Sequence, residues 1–111
     1  MYSAAFIFEP GKYDEEFHRL NALIDAVANA TNGFLGAESW RSADGKRFNA
    51  VYYWETKEAL HEFSMHPQHL EAKRQYKNWY DGFHIVISEI IKSYGDGAFE
   101  HITPNQRKKA A

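Results

Sequence analysis

The spacing of apolar positions changes repeatedly along this chain, and each change marks a predicted element. Residues 2–8 (YSAAFIF) form a short apolar run closed by Glu9-Pro10-Gly11, which predicts a strand ending in a turn. From Asp14 the period lengthens. Phe17, Leu20, Ile24 and Val27 recur at helical spacing, with Glu15 and Glu16 where the partial positive charge of a helix start favours acids. Asn32-Gly33 stops that helix, since both residues tolerate left-handed backbone. Residues 34–41 read as a strand, with Ala43-Asp44-Gly45 a hairpin turn into a second strand over residues 47–55. Thr56 suits the N-cap of a helix starting at Lys57, anchored by Leu60 and Phe63. Pro67 removes an interior helical hydrogen bond but fits a first turn, so this helix is expected kinked or in two parts, the second anchored by Leu70 and Tyr76. Residues 83–94 (FHIVISEIIKSY) read as the last strand, ended by Gly95-Asp96-Gly97.

Strand, helix, strand, strand, helix, strand is the order of an α+β fold. It predicts the ferredoxin-like βαββαβ arrangement, a four-stranded antiparallel sheet with two helices on one face. Residues 1–95 make up this domain, and residues 96–111 are a polar C-terminal tail expected to pack poorly. Along the last strand Val86, Ser88 and Ile90 alternate with Ile85, Ile87, Glu89 and Ile91, which puts apolar residues on both faces. Helices cover only one face, so the other predicts a second copy of the chain, a homodimer with its sheets face to face.

Composition narrows the function classes. A net charge of −2 over 111 residues, with basic residues scattered apart from Arg107, Lys108 and Lys109, excludes the basic face that nucleic-acid binding needs. Cysteine is absent, which removes disulfides and thiol catalysis, and no window is long and apolar enough to span a membrane. The N-terminal residues lack the pattern of a secretory signal, so a cytoplasmic location is expected. Aromatic residues are 16% of the chain, more than a core this size absorbs, so some are expected to line a cavity or an interface.

Three segments, GFLGAES (33–39), YYWET (52–56) and HPQHLEAKRQYKNWY (66–80), resemble the antibiotic-biosynthesis-monooxygenase-like domains of the dimeric α+β barrel superfamily, over roughly residues 2–94. The resemblance implies a homodimer whose two sheets form a barrel, with a pocket in each subunit between sheet and helices. Members with known activity oxidise aromatic polyketides with oxygen and no cofactor, or bind and degrade haem. The haem-degrading pattern is not met. Its pocket asparagine has no counterpart on the first strand, its porphyrin-pressing tryptophan falls at Phe63, and its axial histidine falls near Lys73.

The resemblance puts His69 in the pocket, where an imidazole titrating near working pH would act as general base or hydrogen-bond an acidic phenol. A satisfied structural histidine is the competing reading. Tyr53, Trp54, Phe63, His66 and Tyr80 are the expected ligand-lining residues, although alternation sets Asn49, Val51 and Tyr53 on one face and Tyr52 and Trp54 on the other. Glu62, His66 and His69 have the spacing of a helical metal site, but Pro67 restarts the helix between them, so no metal is expected. Trp79 is expected to be structural. The function expected is cofactor-independent oxidation of a small aromatic or quinol-like compound. The alternative is a non-catalytic dimeric barrel that binds a small ligand or serves a stress response, with haem binding third.

Overall fold

A computed structural model describes residues 1–107. The strands are β1 (Tyr2–Pro10), β2 (Phe34–Arg41), β3 (Phe48–Trp54) and β4 (Tyr80–Glu89), all antiparallel, in the spatial order β2-β3-β1-β4. The helices are α1 (Glu15–Ala30), α2 (Lys57–Ser64) and α3 (Pro67–Arg74), followed by a single 3₁₀ turn (Tyr76–Asn78). This is the ferredoxin-like architecture the apolar spacing predicts, with the second helix split into two. Pro67 occupies the first turn of α3, and the His66 ring caps it by accepting from the Gln68 N–H at 3.2 Å.

Local chemistry sets the other helix starts. Thr56 caps α2 by accepting from the Ala59 N–H at 3.1 Å. Asp14 caps α1 through the Phe17 N–H at 2.8 Å, and the same carboxylate oxygen accepts from the Trp79 indole at 2.9 Å. One acid thus ties the start of α1 to the chain entering β4, and Trp79, 2% exposed beside Phe17 and Leu20, has the structural role expected of it.

The main core lies between the sheet and the helices: Ala28, Trp54, Ala59, Leu60 and Phe63, with Tyr2, Ala4, Ile24, Val27, Phe34 and Tyr52 packed against it. Alternation then places Tyr2, Ala4, Phe6 and Phe8 of β1, and Phe48, Ala50, Tyr52 and Trp54 of β3, on the helix side. α1 packs on β2 and α3, and α2 packs on β1 and β3. Phe83, Ile85 and Ile87 of β4 stay exposed beside them.

Three expectations are corrected. β4 ends at Glu89, because Glu89 pairs with Tyr2 and β1 supplies no partner beyond it; one last backbone bond joins Ile90 N–H to Met1 O at 2.9 Å. α3 buries none of its residues, and Leu70 is no anchor, since the short helix sits at the rim of the layer. The segment after β4 does pack. Thr103 is buried, Ile102 lies over Gly36, and the His101 ring bonds Glu38 at 2.9 Å and Thr103 at 2.8 Å. Residues 108–111 of the expected tail lie outside the described residues.

Candidate functional site

His69 stands on α3 with its ring edge-on to Phe63, centroids 4.8 Å apart. Phe63, held by α2, stacks on Tyr52 at 6.1 Å and meets Trp54 at 5.0 Å. Helix and strand thus bring together His69, Phe63 and Trp54 of the expected residues, and add Tyr52. Trp54 is fully buried, so it backs the wall that Phe63 presents. Two polar atoms here are sealed from solvent without a hydrogen-bond partner: His69 Nδ1 and Trp54 Nε1. Groups of this kind destabilise a fold by roughly 1–3 kcal/mol each and call for an explanation.

Burial, reinforced by the charges of Lys73 and His66, lowers the His69 pKa to about 4. The expectation of an imidazole titrating near working pH is therefore corrected: desolvation keeps His69 neutral. A phenol with a pKa of about 10 lies roughly six units above it, about 8 kcal/mol uphill for full proton transfer. His69 is thus suited to hydrogen bonding rather than to stripping a proton.

Tyr80, at the start of β4, lies on the same side of the sheet, 5.4 Å from Phe6 and 5.2 Å from Phe8. Burial, then the neighbouring Tyr13 and Tyr52 phenols, raise its pKa well above the ordinary value. Between Tyr80 and Tyr52 the floor consists of Phe6, Phe8, Phe48 and Ala50, all incompletely buried, so the helices do not close over it.

Two expected residues fall elsewhere. Tyr53 points to the opposite face, where its hydroxyl donates to Glu38 at 2.6 Å, and burial together with that carboxylate pushes its pKa up to about 12. The period-2 pleat forbids it from sharing a cavity with Trp54. The His66 ring is committed to the α3 cap. A groove of about 520 Å³ lies away from His69, between α2 and β4, with Leu60, His61, Ser64 and Ile87 in its lining. It is a wide surface trough open to solvent. Among the described residues no three His, Asp or Glu side chains gather as metal ligands, and no helix is long and apolar enough to cross a membrane.

Sequence reasoning missed two features. Tyr52 belongs to the site, and the alternation that paired it with Trp54 already carried the signal. The Glu38–Tyr53–His101 cluster joins residues far apart in the chain, and no local pattern announces it.

The sequence profile of the monooxygenase af470-like family matches residues 6–105. The chain belongs to that family. It is also similar to the uncharacterized protein YqjZ of Bacillus subtilis (strain 168), 34% identical over 90 residues that cover 80% of this chain and 78% of YqjZ. Among solved structures it resembles Rv0793 from Mycobacterium tuberculosis, with a TM-score of 0.64 and 19% identity over 85% of this chain and 98% of that one. It likewise resembles SnoaB, a cofactor-independent oxygenase from Streptomyces nogalater, with a TM-score of 0.66 and 14% identity over 83% and 94% of the respective chains. Solved structures described as putative antibiotic biosynthesis monooxygenases share this fold, which agrees with the resemblance carried by the three sequence segments. The family match runs past β4 through Thr103, so it includes the segment that returns to the sheet.

Proposed function

We propose that this protein is a cofactor-independent oxygenase acting on a small aromatic or quinol-like compound, and that it works as a homodimer. The observation that carries the reading is the buried, unpartnered Nδ1 of His69 beside an aromatic floor that the helices leave open. Turning the His69 ring toward the open floor lets a ligand hydroxyl meet that nitrogen and recovers a hydrogen bond the fold forgoes. The SnoaB fold and the monooxygenase family support the reaction class. In that reaction a phenol loses its O–H hydrogen and a ring hydrogen para to it. One atom of dioxygen becomes the new carbonyl and the other leaves as water. His69 orients the hydroxyl, Phe63 and Trp54 form the wall, and Tyr80 closes the far end.

Dimerisation is supported by the sheet face away from the helices, where Trp40 is 64% and Val86 42% exposed. Oxygen uptake with a panel of phenols and naphthols that carry a free para position tests the activity. The wild type should exceed a His69→Ala variant at least about tenfold, the worth of one hydrogen bond to a buried group. Uptake equal in both sinks the oxygenase reading. The weak basicity of His69 favours a second reading, a small-ligand-binding barrel without turnover. That reading predicts binding of the same compounds with no oxygen consumed.

A further inference from the structure

We propose that Tyr52 and Tyr80 bind the ligand as a pair, two hydroxyl donors at opposite ends of the aromatic floor, each meeting one oxygen of a flat ring system. The inference rests on the helix-side face being the ligand site and adds Tyr52 to it. Tyr52 pairs across the sheet with Ala4, and Tyr80 with Pro10. Those partners are six residues apart on β1, so the two backbones stand roughly 20 Å apart at ~3.3 Å per residue. The gap between the side chains is much shorter, because Tyr80 leans along β1 until its ring reaches Phe6. Between them lie Phe6 and Ala50, paired directly, and the alanine methyl keeps the floor low.

Two other rings have their polar groups engaged within the fold, while Trp54 Nε1 and His69 Nδ1 are unpartnered but sealed from solvent. Tyr53 donates to Glu38, and Trp79 donates to Asp14. Tyr52 and Tyr80 have no hydrogen-bond partner among the described residues, and neither oxygen is sealed in the way His69 Nδ1 is. Burial raises both phenols above the ordinary value, with Asp25 adding to the effect on Tyr52, and Tyr13 and Tyr52 adding to that on Tyr80. Both therefore stay protonated near neutral pH and act as donors. Donors at two ends select a ligand with oxygens at two ends, the 1,4-dioxygenated arrangement.

Calorimetric titration with 1,4-naphthoquinone, against naphthalene as the oxygen-free control, tests the pair. Tyr52→Phe and Tyr80→Phe should each weaken naphthoquinone binding about tenfold, the usual worth of one such hydrogen bond, and leave naphthalene binding unchanged. Unchanged thermal midpoints would show that both variants fold. Equal losses for both probes, no loss for the quinone, or no quinone binding by the wild type up to its solubility limit each overturn the proposal. The readout is equilibrium binding, so absent oxygen uptake would sink the oxygenase reading while leaving this one standing. Normal turnover with quinone binding indifferent to both variants would do the reverse.

Discussion

In the function proposed above, His69 is the side chain that meets the ligand. Its pKa of about 4 lies below the ordinary histidine value near 6.5, so the unfolded chain takes up a proton there at a higher pH than the folded one does. The stabilisation linked to the neutral ring is complete above pH 6.5 and is lost as pH falls toward 4. For a half-buried ring partly screened by water, that loss is roughly 1–2 kcal/mol. Urea unfolding at pH 7 and pH 4.5 should show it as a wild-type decrease that is smaller in His69→Gln. Equal decreases would mean that His69 is not the group responsible. At this scale the sequence shows which residue types are available and which strand face each occupies. It separated Tyr53 from Trp54 by pleat alone. It did not show the depressed pKa of His69, because burial arises from α2 and α3 packing together.

Among the elements, the return segment after β4 departs most from what its sequence suggests. Polar residues, glycine and proline make up most of residues 95–107, yet His101, Ile102 and Thr103 fasten the segment across β2 and β3. The fastening is specific. His101 Nδ1 accepts the Thr103 N–H at 3.1 Å, which leaves Nε2 to donate to Glu38. Gly36 has a φ of +141°, and a Cβ there would lie 3.3 Å from Ile102 carbons. Gly36→Ala should therefore destabilise the protein by about 1–2 kcal/mol and speed amide exchange at Ser93 and Gly95. Unaltered exchange there would show that the segment does not depend on the close approach. Burial of Glu38 raises its pKa, but hydrogen bonds from Tyr53 and His101 outweigh burial and leave it lowered. The fastening is therefore intact above the ordinary carboxylate value of about 4.3 and weakens as pH falls below it. Protection factors at the same amides, corrected for the intrinsic pH dependence of exchange, should fall at acid pH in the wild type, and to a smaller degree in Glu38→Gln.

For the whole molecule, the unresolved demand is apolar surface. One layer of helices covers one side of the sheet, while Trp40 and Val86 on the other remain open to water. Sedimentation equilibrium at micromolar concentration should give a dimer, and Trp40→Asp should shift it toward monomer. A monomeric wild type would refute the barrel. The same scale explains the end of β4. Its apolar pattern runs on through Ile90 and Ile91, but a strand extends only as far as its neighbour, and β1 starts at Tyr2.

The sequence by itself determined the order of elements, the helix cap at Thr56, the break at Pro67 and the face on which each strand residue lies. All of these follow from interactions between residues close in the chain or from the period of the backbone. Only the tertiary structure decided that His69 is neutral, that Phe63 lies between it and Tyr52, and that Glu38 and His101 meet. These depend on desolvation and on contacts between elements distant in sequence. Neither has a local signature, so each appeared only once the helices lay on the sheet.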